Sequence, residues 1–348
     1  MPTINGFLLL AILFSQATYG RQAPSSLALG SSDFSTKSLG NVCYAIDAGT
    51  TGLPCNPAFT AQETPANFRS QLFWGGNAAH LQDVASLLKD NGDSESARRL
   101  FSQRSPEQME ASLDLSYRRP VFAFAVVPLK VVYYSFIRNQ ALPTVTLLAS
   151  QEQSVRAQIA GYAGEDWSWG FQLRGVHRTF IGKTFTVTDA LSEQRSEVFA
   201  PEKQDVLYIE PGVLKEWLDV PLQPQLTINF SGWGLVSHKY RDYPAEPELH
   251  FGSALTMPVQ FARWQVGVDY ALDSDIQKLN NSIRLGSLLD VGISTISGSF
   301  GASDYALGAQ FKGQIWSSSL THTASLIEDW SGDSEWIRIL FFQIGFDF

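Results

Sequence analysis

The sequence WIRILFFQIGFDF, residues 336–348, decides the fold of this chain. Every second residue, counted back from the last, is large and apolar: Phe348, Phe346, Ile344, Phe342 and Leu340. The residues between them are Asp347, Gly345 and Gln343, before the pattern turns apolar at Phe341. Residues that alternate with a period of two lie on opposite faces of an extended chain. The stretch therefore predicts a β-strand with one apolar face.

Such an apolar strand has to pair along both of its edges. In a soluble protein it would be a buried edge strand, but nothing polar follows it to shield the open edge. A closed barrel in lipid removes the edge and turns the apolar face outward. We therefore expect an all-β protein, a single transmembrane antiparallel β-barrel.

A final strand that ends in Phe resembles the terminal signature of bacterial outer-membrane barrels. The resemblance implies that Phe348, Phe346, Ile344 and Phe342 form a signal read by the barrel-assembly machinery. It also implies that the protein lies among outer-membrane lipid in a Gram-negative bacterium.

Composition and charge exclude one class of partner. The 348 residues carry a net charge of −9, with 12% aromatic and 17% charged side chains. A nucleic-acid-binding protein needs a basic patch, and the sequence has no basic cluster. We expect no nucleic-acid partner.

The first 20 residues, MPTINGFLLLAILFSQATYG, have no charged side chain and an apolar run from Phe7 to Phe14. Small residues then permit cleavage after Ala17 or Gly20, so residues 1–20 are predicted to be a secretory signal peptide. An uncleaved amphipathic anchor is the alternative. The run is too short for a transmembrane helix, which needs about 20 apolar residues.

Cys43 and Cys55 are the two cysteines of the sequence. In the oxidising compartment that follows export, they are expected to close a short disulfide loop. Two buried free thiols are the alternative. Neither cysteine directly follows the signal peptide, so lipid attachment is not expected.

Residues 60–109 change to a helical pattern. Leu81, Val84, Leu87 and Leu88 have helical spacing, and after a break at residues 91–92 Ser94 is expected to cap a second short helix. Both helices are too polar for lipid. We expect them to extend a plug of residues 21–110 or to pack at the periplasmic mouth. A separate docking domain is the alternative.

From residue 111 to 348 the sequence alternates strand patterns with turn clusters. Trp167, Trp169, Phe171 and Leu173, for example, alternate with small or polar residues. Soluble β-sandwiches also alternate, but Trp and Tyr near the strand ends favour a membrane interface. At the usual strand length, the segment holds about 12 strands, within a range of about 10 to 14.

Two further stretches carry a family resemblance. The runs SSLALGSSDFS (25–35) and LPCNPAF (53–59) resemble the amino-terminal region of the FadL-type superfamily, which includes long-chain fatty-acid transporters and TraF-like and PorV-like barrels. The segment 282–326 is similar to the closing hairpins of the PorV-like and TraF-like members. The resemblance implies that Asn56, Pro57 and Ala58 lie in a plug or hatch at the periplasmic side.

Catalytic and metal-binding patterns are weak. Ser237, His238 and Asp242 could be assembled into a triad on paper, but no serine sits in a GxSxG elbow. No HExxH or CxxC spacing suggests a metal, and no glycine pattern suggests a nucleotide. We therefore expect no enzyme activity, no metal and no cofactor.

Two functions remain open. The first is a plugged channel for the uptake of small hydrophobic molecules. The second is a structural or assembly barrel without transport activity, which binds another envelope protein as the PorV-like and TraF-like resemblance implies. A continuous apolar tunnel would favour the first, and a lumen packed with charged side chains would favour the second.

Overall fold

The computed structural model describes residues 33–49, 52–62, 65–76, 80–89, 107–138, 144–186, 199–236, 247–259, 262–272, 283–328 and 334–348. The helices are α1 (Phe34–Leu39), α2 (His80–Lys89) and two 3-10 helices (Gly40–Tyr44 and Pro57–Ala61). The first eight strands are β1 (Asn67–Gly75), β2 (Glu107–Arg119), β3 (Phe122–Arg138), β4 (Thr144–Tyr162), β5 (Trp167–Thr186), β6 (Glu202–Glu216), β7 (Gln225–Ser231) and β8 (Gly234–Val236). The others are β9 (Glu248–Val259), β10 (Ala262–Leu272), β11 (Ile283–Asp290), β12 (Ser294–Phe300), β13 (Asp304–Lys312), β14 (Trp316–Glu328) and β15 (Ser334–Asp347).

The strands form one closed antiparallel barrel. Strands that are neighbours in sequence pair with each other, except that β7 pairs with β9 past the short strand β8. Because β1 also pairs with β15, and β5 with β6, the ring has no free edge. The short strand β8 pairs with β6 next to the part of β6 that pairs with β7. It therefore continues the line of β7 and is not counted separately, so 14 strands close the ring. The transmembrane barrel is confirmed, and its 14 strands exceed the chosen number of about 12 but lie within the expected range of 10 to 14.

One of the extra strands, β1, comes from the segment that the sequence analysis assigned to the plug. It pairs with β15 from Arg69 opposite Asp347 to Gly75 opposite Phe341, so the barrel begins at Asn67 and not at residue 111. Phe68 and Leu72 of β1 point outward and are exposed, whereas Gln71 is buried on the inner face. The same period-two pattern that identifies β15 is therefore present in β1.

The final strand has the two faces expected from its sequence. Leu340, Phe346 and Phe348 are exposed, and Gln343 on the opposite face is 2% exposed. Around the ring, apolar side chains point outward and polar ones point inward. The exposed group includes Val155, Ile159, Leu173, Leu226, Ile228, Leu285, Ile296 and Leu307, and the buried polar group includes Ser112, Asp114, Arg156, Gln158, Gln172, Thr227, Gln265 and Ser297. This inverted distribution is that of a barrel wall facing lipid.

The two ends of the barrel differ. Short connections join β2 to β3, β4 to β5, β11 to β12 and β13 to β14 at the end that holds Phe348. The longest intervals between consecutive strands separate β1 from β2 and β5 from β6, and the strand ends that flank them lie at the opposite end. Transmembrane barrels of bacteria have short periplasmic turns and longer extracellular loops. We therefore call these the short-turn end and the long-loop end.

Helix α2 lies at the long-loop end, outside the wall. Strands β3, β4 and β5 have 17, 19 and 20 residues, and their outward side chains beyond the lipid-facing band are apolar. Val84 and Leu87 of α2 bury this strip in a cluster with Tyr133, Val145 and Leu147. The expectation that the helix extends the plug or packs at the periplasmic mouth was wrong. The apolar face of α2 instead covers the outer surface of the long strands β3, β4 and β5. The second expected helix, near residues 94–101, lies outside the described residues.

A search of the described residues for a helix long and apolar enough to cross a membrane finds none.

Candidate functional site

The lumen of the barrel holds residues 33–49 and 52–62, which we call the inner segment. Its helix α1 begins after Asp33, whose carboxylate accepts a hydrogen bond from the Thr36 backbone N–H at 2.9 Å. The helix ends at Gly40, which has a φ of 55°. A Cβ at this position would lie 2.7 Å from Nη1 of Arg284 on the wall. Glycine therefore allows both the turn and the close approach to the wall.

A disulfide joins Cys43 and Cys55, as the sequence predicted. It connects the first 3-10 helix to the chain just before the second one. Both cysteines also border a cavity inside the barrel. The bond thus keeps the two halves of the inner segment together inside the barrel.

Asn56, Pro57 and Ala58 rest directly on the wall. The Asn56 side chain accepts a hydrogen bond from the Ala58 N–H at 3.0 Å and begins the second 3-10 helix. A Cβ on Gly170 of β5 would lie 2.2 Å from the carbonyl carbon of Pro57, and one on Gly212 of β6 would lie 2.0 Å from Asn56 Oδ1. The motif is therefore a packing contact with β5 and β6, and its role in ligand binding stays a prediction.

On the opposite side of the ring, the inner segment packs against other glycines of the wall. A Cβ on Gly308 of β13 would lie 2.7 Å from atoms of Phe34 and Ser38, and one on Gly286 of β11 would lie 2.7 Å from Val42. These strands are separated from β5 and β6 by several others in both directions around the ring. The inner segment therefore crosses the lumen from wall to wall.

Buried ion pairs also hold the inner segment. Lys37 binds Glu110 of β2 at 2.6 Å, and Asp47 binds Arg118 of the same strand at 2.9 Å. Arg118 also donates to the Phe59 carbonyl at 2.9 Å. Removing one partner from a buried pair leaves a charge without compensation, which is costly. The inner segment is thus fixed by charge as well as by shape.

The remaining space in the lumen is small and polar. A cavity of about 180 Å³ lies between the inner segment and the wall. Charged residues border it on many strands: Lys37, Asp114, Lys130, Glu152, Arg156, Arg174, Glu210, Arg284 and Asp304. Several of them form pairs across the wall, among them Arg156 with Asp114 at 2.7 Å and Arg174 with Glu210 at 2.7 Å.

Toward the long-loop end the lumen becomes apolar. Side chains of five strands form one buried cluster there: Phe73, Val132, Tyr134, Leu148, Phe180, Ile337, Ile339 and Phe341. The rings of Phe73 and Phe341 stack with their centres 5.0 Å apart. A continuous apolar tunnel is therefore absent from the described lumen, because the apolar cluster gives way to the polar cavity and the inner segment.

A second polar cluster lies on β7, β9 and β10. The two ring nitrogens of His250 contact Asp269 at 2.9 Å (Nδ1) and Ser231 at 3.1 Å (Nε2). These distances match a serine–histidine–aspartate triad, but Glu248 also lies 3.3 Å from Nε2. A ring nitrogen that faces a carboxylate carries a hydrogen, so it has no lone pair with which to accept the serine proton. The cluster is therefore a fixed hydrogen-bond network.

Sequence reasoning missed this cluster. The set it considered, Ser237, His238 and Asp242, lies outside the described residues. Ser231, His250 and Asp269 occupy inward positions on adjacent strands, and Asn229 pairs directly with His250. The alternation along each strand could have shown that these side chains point inward. The sequence does not reveal the strand register that brings the three together. Among the described residues no group of His, Cys, Asp and Glu could hold a metal ion.

The ring of Tyr44, from the inner segment, covers His250. The two ring centres are 4.0 Å apart and the planes differ by 24°. The Ser231 hydroxyl lies beside the Tyr44 hydroxyl, and burial raises the pKa of Tyr44 above its usual range. Tyr44 is thus an aromatic contact between the inner segment and the polar cluster of the wall.

Comparison with known proteins gives a likeness of fold. No family model and no curated protein matches the chain. Among solved structures, the TodX deltaS2S3 mutant monoaromatic hydrocarbon channel aligns with a TM-score of 0.52 and 8% identity, over 90% of this chain and 97% of that one. The COG4313 outer membrane channel from Pseudomonas putida F1 aligns with a TM-score of 0.38 and 7% identity, over 83% and 98%.

CdiB from Acinetobacter baumannii aligns with a TM-score of 0.35 and 9% identity, over 82% of this chain, and the chain spans only 60% of its length. The likeness to the TodX mutant confirms the expected resemblance to FadL-type barrels at the level of the fold.

Proposed function

We propose that this protein is an outer-membrane channel for the uptake of small hydrophobic molecules, with the inner segment as its plug. The observation that carries the proposal is the path of the inner segment, which crosses the lumen and packs against β5 and β6 on one side and β11 and β13 on the other. A segment in this position blocks passage until it moves. In this proposal, residues 1–20 direct export, and the barrel-assembly machinery inserts the chain into the outer membrane of a Gram-negative bacterium.

The hydrophobic cargo is supported by two observations. The lumen at the long-loop end is filled by a packed apolar cluster, including Phe180 and Ile339, which an apolar solute entering from outside would meet first. In addition, the fold resembles that of a mutant hydrocarbon channel. Binding sites for small hydrophobic ligands are concave and mostly apolar, with a few polar groups for orientation.

Transport then requires the plug to yield, because the cavity beyond the apolar cluster is small and charged. The contacts that must break are the pairs Lys37–Glu110 and Asp47–Arg118, together with the buried Thr60–Gln158 hydrogen bond of 2.7 Å. Water that enters as the plug moves solvates the separated charges, so the cost is lower than in a dry core. A cargo that binds the open state more tightly than the closed state shifts this equilibrium.

The second candidate is a structural or assembly barrel that binds another envelope protein. It is favoured by the charged cavity and by the wall-to-wall packing of the inner segment, which close the lumen. In this case the inner segment acts as a structural core and never leaves.

One experiment separates the two candidates. Residues 21–60 are deleted from the full-length protein with its signal retained, and single-channel conductance is measured in planar bilayers. The channel proposal expects a higher conductance than that of the intact protein, because the residues that block the lumen are gone. Heat-dependent gel mobility verifies that the truncated barrel is closed. A heat-modifiable barrel that conducts no better than the intact protein would favour the partner-binding candidate.

A further inference from the structure

The Tyr44 contact is built from two parts that can separate. The tyrosine belongs to the inner segment, whereas His250, Ser231, Asp269 and Glu248 belong to wall strands β9, β7 and β10. Tyr44 also borders the polar cavity, as does Ser231. The wall part is therefore a seat for an aromatic ring, and a solute in the lumen can approach it.

The seat is held in place without Tyr44. Hydrogen bonds to Asp269, at 2.9 Å from Nδ1, and to Ser231, at 3.1 Å from Nε2, fix the plane of the His250 ring. Both His250 and Asp269 are almost fully buried. Because Nε2 also faces Glu248 at 3.3 Å, both ring nitrogens carry hydrogens and the imidazole is cationic. A cationic ring favours an aromatic face over an aliphatic one.

The seat has a second recognition element beside the ring. The Ser231 hydroxyl lies beside the Tyr44 hydroxyl, and Ser231 is on the inner face two residues beyond Asn229. The Asn229 side chain is 1% exposed, borders the cavity, and neither its amide nitrogen nor its oxygen has a protein partner. The seat thus offers a flat cationic surface, a hydroxyl, and a nearby amide that can bind a further polar group.

We propose that this seat is a binding site for small phenols, and that Tyr44 occupies it when the barrel is closed. A phenol has the two features that the seat recognises in tyrosine, an aromatic ring and a hydroxyl attached to it. A phenol in the cavity competes with Tyr44, displaces its ring and loosens the first 3-10 helix of the inner segment. The binding site is independent of the proposed function, but its effect on opening rests on that function.

The remaining charges around the seat do not oppose a neutral ligand. Arg174 and Glu210 face Tyr44 from β5 and β6 and pair with each other at 2.7 Å. Arg284 on β11 faces Asp269 and Glu248. A phenol is neutral at physiological pH, so it replaces Tyr44 without adding charge.

The test replaces Tyr44 by alanine in the full-length protein, which leaves the seat empty. Phenol binding is measured by equilibrium dialysis in one detergent for the wild type and for the Tyr44→Ala variant. We expect Tyr44→Ala to bind phenol at least about tenfold more tightly, because it has no internal competitor. Toluene, which lacks the hydroxyl, and cyclohexanol, which lacks the aromatic ring, are each expected to bind Tyr44→Ala more weakly than phenol.

Two further variants distinguish phenol binding at the seat from nonspecific binding to detergent or elsewhere in the lumen. Tyr162→Ala is the matched control, because Tyr162 also contacts the inner segment, donating to the Ala61 carbonyl at 2.8 Å, but does not cover His250. It is expected to bind phenol like the wild type. Adding Ser231→Ala to Tyr44→Ala is expected to abolish the preference for phenol over toluene. Equal phenol binding by Tyr44→Ala, Tyr162→Ala and the wild type would overturn the site.

Conductance distinguishes this inference from the proposed channel. If Tyr44→Ala conducts more than the wild type, and phenol raises the conductance of the wild type with saturation but not that of Tyr44→Ala, the seat controls opening. If Tyr44→Ala binds phenol selectively but neither it nor the deletion of residues 21–60 raises conductance, the seat stands and the channel fails. If the deletion raises conductance but Tyr44→Ala gains no phenol binding, the channel stands and the seat fails.

Discussion

Lys37 of the inner segment lies 2.6 Å from the Glu110 carboxylate on the barrel wall. Lys130 of β3 approaches the other oxygen of Glu110 at 3.7 Å, so one buried carboxylate holds two cations. The Lys37 ammonium also lies 5.2 Å from the centre of the Phe341 ring in the apolar cluster. This pair therefore joins plug and wall where the polar and apolar parts of the lumen meet.

Replacing Lys37 by methionine is expected to weaken the closed state. Glu110 is 1% exposed and would lose its closest cation, and removing one member of a buried pair costs about 3–5 kcal/mol. The measurement is the frequency of opening in planar bilayers, which should rise relative to the wild type.

The matched control for Lys37→Met is Lys215→Met. Lys215 lies over the Trp167 and Trp217 rings at 5.0 and 4.6 Å, at the short-turn end, and makes no described contact with the inner segment. It should leave opening unchanged. An equal increase in both variants would mean that the loss of charge, and not the loss of the Lys37–Glu110 pair, affects conductance.

A valine at Gly170 is expected to displace the second 3-10 helix. The Cβ alone would lie 2.2 Å from the carbonyl carbon of Pro57, and backbone cannot yield as a flexible side chain does. Conductance should rise toward that of the plug deletion. Gly175→Val on the same strand is the control, because a Cβ there meets nothing within 4 Å. If both variants behave like the wild type, the contact with Pro57 does not hold the plug.

Loss of the Cys43–Cys55 disulfide is expected to destabilise the inner segment without opening the barrel wall. A loop of about this size contributes about 3 kcal/mol in the chain-entropy model. The Cys43→Ser/Cys55→Ser double variant should lower the temperature at which the inner segment becomes accessible to protease. Its heat-modifiable gel shift should persist, since no barrel strand contains either residue. Two free thiols in the native protein, detected by alkylation mass spectrometry, would contradict the bond itself.

The barrel could be predicted because its signal is local. Alternation in β15 places Phe346 outward and Gln343 inward whatever the rest of the chain does, and the structure agrees. The same signal in Asn67–Gly75 was overlooked because helical spacing follows immediately in α2. The barrel boundary was therefore placed too late in the sequence, and β1 accounts for one of the two strands by which the ring of 14 exceeds the expected number of about 12.

The position of α2 could not be predicted from its own residues. Its apolar face, with Val84 and Leu87, fits either a lumen or an outer surface equally well. What selects the outer surface is the extra length of β3, β4 and β5, which carries apolar outward residues such as Leu147 beyond the lipid-facing band. The same holds for the Tyr44 seat, since Ser231, His250 and Asp269 meet only through the register of three strands.

The last prediction concerns Phe348 at the seam between β15 and β1. Its N–H donates to the Phe68 carbonyl at 2.8 Å, and its carbonyl accepts from the Phe68 N–H at 3.1 Å. Its side chain is 77% exposed and points outward, so it adds little to packing within the protein. The backbone of Phe348 therefore closes the seam, and we propose that its exposed ring is what the barrel-assembly machinery recognises.

Two variants separate these roles. Phe348→Ser keeps both backbone hydrogen bonds and removes the ring, whereas deletion of Phe348 removes both. If the ring is an assembly signal, each variant should reduce the amount of heat-modifiable protein in the outer-membrane fraction. If only the seam matters, Phe348→Ser should match the wild type and the deletion alone should fail. Recovery of the wild-type protein as a soluble periplasmic monomer would contradict the transmembrane barrel, because its ring of outward apolar side chains requires lipid.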